Sequence, residues 1–167
     1  IPTDAKFISY GLDWGFTNDP TAMIEAYRYN GELYVNELIY STGLTNSDIL
    51  INMGQLNIIK HNSIIADSAE PKSIEDIFRG GYSNIRPANK GKDSILNSID
   101  TLKQYKINVT KNSINLIKEL RSYVWLRDKE GKLLNQPIDH NNHAIDALRY
   151  VALNKLKSDS TFNYTFG

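Results

Sequence analysis

The 167-residue sequence predicts an α/β domain: one mixed β-sheet with helices on both faces. Three observations point there. The chain opens with three successive strand-like segments, continues with helix-like and strand-like segments in alternation, and closes on a helix with a clear apolar stripe. Sequential hairpins give antiparallel pairs, and a crossover helix returns the chain parallel to its start.

Phe7 to Trp14 reads as the first strand and Thr21 to Tyr29 as the second. Asn30-Gly31 is a two-residue hairpin signal, because both turn positions need positive φ and these residues tolerate it. Glu32 to Tyr40 makes the third strand. After the cap candidates Thr45, Asn46 and Ser47, the residues Ile49, Leu50, Met53, Leu56 and Ile59 fall at helical spacing. "SIIAD" follows as a buried-type strand ending at Asp67. Pro71 starts a helix that Gly80-Gly81 stops, and a short strand lies near Asn84 to Pro87. Residues 93–105 place Ile95, Ile99 and Leu102 on a helix, "INVT" at 107–110 is a further strand, and Asn112 to about Tyr123 is helical with Ile114, Ile117 and Leu120 on one side. Two short strands around Lys129-Glu130-Gly131 form a hairpin at about 124–136, and the last helix spans about Asn142 to Lys157. One domain is expected over 1–157, with 158–167 as a loose tail.

The absence of cysteine excludes disulfides, thiolate nucleophiles and Cys-type zinc sites together. No apolar run has the length of a membrane span and the first residues lack a basic-then-apolar pattern, so a soluble intracellular protein is expected, with no membrane partner. Net charge is zero but unevenly spread. Residues 1–48 hold two basic residues against seven acids, while 86–111 hold Arg86, Lys90, Lys92, Lys103, Lys106 and Lys111 against Asp93 and Asp100. The second stretch suits phosphate, or is an ordinary solvated surface.

Asp13 ends an apolar strand, where an unpartnered charge is costly. A period of two puts Phe7, Ser9, Gly11 and Asp13 on one face and Ile8, Tyr10, Leu12 and Trp14 on the other. A right-handed crossover would lay the strand ending at Asp67 parallel to the first, so that both carboxylates emerge at the same sheet edge. In the closing helix His143, Asp146 and Tyr150, spaced i, i+3, i+7, lie off the stripe of Ala144, Ile145, Leu148, Val151 and Ala152; helical geometry alone leaves them exposed. Taken singly, a strand-end Asp is a turn former and a helix-face Asp is solvated. Taken together, three acids that can meet suit Mg²⁺ or Mn²⁺, and two such ions about 4 Å apart can hydrolyse a phosphodiester.

"GLDWGFTNDPTA", "IIADSAEPKSI" and "PIDHNNHAIDALRYV", with "NKGKDSI" and "IKELRSYVW" between them, resemble the C-terminal nuclease domain of the large subunit of tailed-bacteriophage terminases, which has an RNase H-like fold. The match runs over about residues 7–155. The resemblance implies a metal-dependent endonuclease that cuts concatemeric viral DNA during genome packaging in the host cell cytoplasm. It gives Asp13, Asp67 and Asp146 the role of catalytic acids holding Mg²⁺ or Mn²⁺, two ions in all. It places His143 beside the metals, Asp139 behind them at an acidic position before the helix, and Lys90 in a basic loop contacting double-stranded DNA; Lys92 and Arg86 of the basic stretch are further candidates for DNA contact. The hairpin would border the active-site groove and gate it. Implied partners are an N-terminal packaging ATPase domain, the terminase small subunit and the portal protein. No G-x-x-x-x-G-K-[ST] loop occurs in this sequence, so an isolated nuclease domain without motor function is expected.

Three other readings use the same residues. A junction resolvase or transposase would apply the same three-acid logic. "DWGFT" also matches the D-x-G-x-T phosphate loop of actin-like ATPases, although those need two lobes. A non-catalytic docking module would use the acids only as caps and turns.

Overall fold

Strand β1 (Lys6–Asp13), β2 (Thr21–Tyr29) and β3 (Glu32–Ser41) form an antiparallel meander. Its β2–β3 turn has positive φ at both Asn30 and Gly31, as the sequence requires. This computed structural model describes residues 1–156; Lys157 and the tail expected at 158–167 lie outside the described residues. Helix α1 (Asn46–Gln55) begins in a capping box. Thr45 Oγ1 accepts from the Asp48 N–H, and the Asp48 carboxylate accepts from the Thr45 N–H. The chain then returns as β4 (Ile64–Ala66), parallel to β1 with Gly11 opposite Ile65.

Helix α2 (Pro71–Arg79) has proline at its first position and leads to β5 (Ile85–Pro87), parallel to β4. Helix α3 (Ser94–Lys103) precedes β6 (Ile107–Val109), parallel to β3. Helix α4 (Ile114–Ser122), the hairpin of β7 (Trp125–Arg127) and β8 (Leu133–Pro137), and α5 (His143–Lys155) complete the series. The main sheet runs β5-β4-β1-β2-β3-β6 and is mixed, as expected.

Two cores flank it. Tyr10, Leu12, Met23 and Ile64 meet Ile49 and Met53 of α1 and Ile77 of α2 on one face. Ala22, Ile24 and Val35 meet Leu102, Leu116, Leu148 and Val151 from α3, α4 and α5 on the other. Gly11 lets α5 lie directly on β1: a Cβ there would stand 2.1 Å from the Ala147 carbonyl oxygen.

Three local expectations are corrected. A bulge between Phe7 and Ser9 breaks the strict alternation of β1. Phe7 therefore packs against Tyr10, ring centroids 4.7 Å apart, while Ile8 packs on the α5 face; the expected faces hold from Tyr10 onward. Helix α1 stops at Gln55 because Asn57 adopts positive φ, so Leu56 and Ile59 fall outside it and are exposed. In α4 the buried side is Leu116 and Glu119, with Ile114 and Leu120 exposed. Carboxylates set that rotation: Glu37 of β3 accepts from the Leu116 N–H at 2.7 Å, capping α4, and Glu119 then caps α5.

Candidate active site

Asp13 is the last residue of β1, and Asp67 follows β4 directly. The Asp67 N–H donates to the Leu12 carbonyl at 2.9 Å, extending the parallel ladder one step so that the two carboxylates leave neighbouring strand ends. Trp14 Nε1 donates to the Asp67 carbonyl at 3.0 Å and locks the chain on both sides of the pair. Asp13 and Asp67 thus emerge at the same sheet edge, as a parallel return of the chain requires.

The N-terminal half of α5 lies across these strand ends. Asn142 provides no side-chain cap; instead Glu119, reaching from α4, accepts from the Ile145 N–H at 2.9 Å and from Tyr40 Oη at 2.8 Å. A carboxylate from another helix therefore fixes where α5 starts. The face expected to be solvated is turned inward. Tyr150 is 3% exposed, and the side chains of His143 and Asp146 are 17% and 21% exposed. Helical periodicity failed here because α5 is buried on two sides, its alanines and leucines against the sheet and its polar side against the ends of β1 and β4.

Tyr150 Oη donates to Asp13 Oδ1 at 2.9 Å, and His143 Nδ1 lies 3.2 Å from Asp13 Oδ2. The other ring nitrogen of His143 is 3.5 Å from Asp19 Oδ1. Asp146 is paired with Arg149, whose Nε donates at 2.9 Å to the buried Ser98 hydroxyl of α3. Asp67 accepts from the Ala69 N–H at 2.9 Å and forms an ion pair with Lys90, whose ammonium also sits 4.6 Å over the Tyr150 ring. Lys90 is therefore inside the site. Arg86 is exposed and donates to the Ile85 carbonyl; Lys92 and Asp139 are exposed as well. Tyr150, Arg149, Ser98 and Glu119 were not singled out as site residues from sequence. The i+3 and i+7 spacings from Asp146 and His143 are the one signal that could have marked Arg149 and Tyr150.

The electrostatics report the same convergence. Burial pushes the Asp13 carboxyl up, opposed by its hydrogen bonds from His143 and Tyr150, and the Asp67 charge adds to the rise. Burial pushes Asp146 up to about 6, with Arg149 opposing and Asp13 adding. The Tyr150 hydroxyl is pushed up by burial and then by Asp13, Asp146 and Asp67 together, so all three carboxylates act on one phenol. Pairing with Asp13 raises His143.

Among the described residues no three His, Asp or Glu side chains stand within one ion's ligand shell; each carboxylate is instead held by a protein cation or hydroxyl. The donor set nonetheless fits Mg²⁺ or Mn²⁺, being all oxygen, anionic and desolvated. A cleft of about 650 Å³ opens beside Asp67, walled by Trp14, Phe16, Asp19 and Glu70.

Residues 13–154 match the model of the terminase RNase H-like domain. The chain belongs to this terminase family. It is 30% identical over 164 residues to the terminase large subunit of Bacillus phage SPP1, a match covering 90% of this chain and 38% of that protein. It is 27% identical over 147 residues to the PBSX phage terminase large subunit of Bacillus subtilis, covering 84% of this chain and 33% of that protein. The chain thus spans under two-fifths of the length of either relative. Its fold superposes with a TM-score of 0.76 on the nuclease domain of the SPP1 large terminase, solved with bound Mn, at 27% identity over 86% of this chain and 84% of that one. The fold is accordingly RNase H-like, and the actin-like and resolvase readings give way to the terminase assignment.

Proposed function

We propose that this domain is a divalent-metal-dependent DNA endonuclease, and that Asp13, Asp67 and Asp146 are its metal ligands. The observation that carries the reading is the exit of Asp13 and Asp67 from adjacent strand ends beside the first turn of α5, which carries Asp146, with Tyr150 of the same helix bonded to Asp13. The bound Mn in the SPP1 nuclease domain supports it.

Mg²⁺ or Mn²⁺ at this place supplies Lewis acidity toward a water and a phosphate oxygen. Asp13, Asp67 and Asp146 would hold the ions, two in this reading. Tyr150 holds Asp13 in one orientation, and the Arg149–Ser98 link does the same for Asp146. His143, its ring held between Asp13 and Asp19, steadies the Asp13 carboxylate and would orient a water beside it. Asp139 adds negative charge that favours cation binding at Asp146.

The substrate is double-stranded DNA, held by phosphate contacts from Lys90, Lys92 and Arg86, and the cut is made in concatemeric viral DNA during packaging. At zero net charge the isolated domain binds DNA weakly and loses it quickly as salt rises. Tethering to a packaging ATPase domain, working with the small subunit and portal in the host cytoplasm, raises the local DNA concentration and compensates. The β7–β8 hairpin borders the groove and gates it.

Mn²⁺-dependent nicking of supercoiled plasmid tests the reading. Asp13→Asn and Asp67→Asn proteins that still fold are expected to lose it; undiminished cutting by either removes the proposal.

A further inference from the structure

Lys90 is placed in a way that DNA binding alone does not explain. Its backbone surroundings are fixed: the Ala88 N–H donates to the Ala66 carbonyl at 2.7 Å, and the Asn89 N–H to Asn154 Oδ1 at 3.1 Å. From this anchored base the side chain turns back to the Asp67 carboxylate and the face of the Tyr150 ring instead of out to solvent. The Asp67 side chain is 15% exposed and that of Lys90 34%, so the pair is only partly open to solvent. Immediately beyond it, a Cβ on Gly91 would touch nothing, and Lys92 is exposed. With 34% of its side chain already open to solvent, Lys90 can leave the carboxylate while its anchor stays.

We infer that Lys90 is a built-in counter-cation for Asp67, which a divalent ion must displace and which then takes a DNA phosphate. This rests on the metal-nuclease reading above. Two positive charges cannot share one face of a carboxylate closely without repulsion, so ion and ammonium compete. A phosphate that captures the ammonium removes the competitor, and by linkage DNA and cation each tighten the other's binding. The idle site is thereby kept neutralised, and the ion is held well only when a phosphodiester is present. Lys90 is a positioning residue in this scheme, since it never touches the reacting bond.

The test is calorimetric titration of Mn²⁺ into the DNA-free protein and its Lys90→Met, Lys90→Arg, Lys92→Met and Asp67→Asn variants. Lys90→Met is expected to bind Mn²⁺ about tenfold more tightly than wild type, a coupling within the range usual for linked sites. Lys90→Arg keeps the competing charge and is expected to stay near wild type, as is Lys92→Met. A second readout is the salt dependence of binding to a labelled duplex, in EDTA and in Ca²⁺. Adding Ca²⁺ should steepen the wild-type slope by about 0.9, one phosphate contact, more than it steepens the Lys90→Met slope. Saturable Mn²⁺ binding with equal affinity in wild type and Lys90→Met would overturn the counter-cation role and leave the nuclease reading standing. Mn²⁺ binding indistinguishable between wild type and Asp67→Asn would overturn both.

Discussion

Tyr150 Oη, on the second turn of α5, donates a 2.9 Å hydrogen bond to Asp13 Oδ1 at the end of β1, joining residues 137 positions apart. The bond does two things. It satisfies one oxygen of a carboxylate that is only 6% exposed, and it aims the other toward His143. The site is thus built from the seam between α5 and the sheet, and its chemistry depends on that seam staying closed.

Tyr150→Phe is therefore expected to keep the ring, the packing on Ile65 and Ala88 and the seat of the Lys90 ammonium, while leaving Asp13 short of one donor. The cost in stability is about 1–2 kcal/mol, the usual range for a buried acceptor left unsatisfied. Urea denaturation gives that number, and the same preparation should show slower Mn²⁺-dependent nicking. A variant with wild-type stability would mean that the bond contributes nothing.

Gly11→Ala tests the seam itself. The added methyl would stand 2.1 Å from the Ala147 carbonyl oxygen and 3.0 Å from a Val151 methyl, so α5 must move away from β1. Destabilisation on the order of 3 kcal/mol or more is expected, with loss of activity. Gly54→Ala is the contrast: it lies in α1 with nothing near its missing Cβ, and a gain of about 0.5–1 kcal/mol is expected from helix propensity. Thermal melts of the two variants should move in opposite directions.

Glu119→Ala removes the acceptor of both the Ile145 N–H and Tyr40 Oη. Two buried donors lose their partner, and α5 loses its N-terminal cap. A loss of about 2–4 kcal/mol is expected, read as a lower urea midpoint at unchanged slope. Because the cap lies beside His143, activity should fall even in the fraction that remains folded.

The pH dependence of the cation-free protein carries a definite sign. Burial pushes Asp146 up to about 6, from 3.8 for a free carboxyl, so the folded state keeps a proton that the unfolded chain has released. That contribution to stability is complete below about pH 4 and is lost as pH rises through about 6, on the order of 2–3 kcal/mol in full. His143, raised by pairing with Asp13, acts in the same direction: its contribution is present below about pH 6.5 and is lost as pH rises through its folded value. A bound divalent ion favours the ionised carboxylates and opposes the trend. Melting temperatures in EDTA should fall less steeply between about pH 4 and 6 for Asp146→Asn than for wild type, and Mn²⁺ should raise the wild-type value more at about pH 7.5 than at about pH 5. Equal Mn²⁺ shifts at both pH values would contradict the assignment of Asp146 as a ligand.

Much of the frame was legible in the sequence because it is written locally. Asn30-Gly31 fixes one turn, Thr45 with Asp48 fixes a helix start, and the β3–α1–β4 crossover follows from handedness, which lays β4 along β1 and places Asp13 beside Asp67. The details of the site were not legible, and for one physical reason. The Glu37 cap of α4, the Glu119 cap of α5 and the Lys90–Asp67 pair join residues that are distant in sequence and carry no periodic signature. Each long-range acid also misleads a pattern reader, since Glu119 looks solvated and is 3% exposed. The α5 polar face failed for the same cause: a helix that rests on a sheet with one side and on strand ends with another buries more than its apolar stripe.

Crystals of the domain soaked in Mn²⁺, with an anomalous difference map at the manganese edge, bear most directly on the convergence of Asp13, Asp67 and Asp146. Peaks bridged by the Asp13 carboxylate, one toward Asp67 and one toward Asp146, with the Lys90 ammonium withdrawn, are the expected result. A saturated soak with no peak among these side chains, and with Lys90 and Arg149 still paired to their carboxylates, would contradict it.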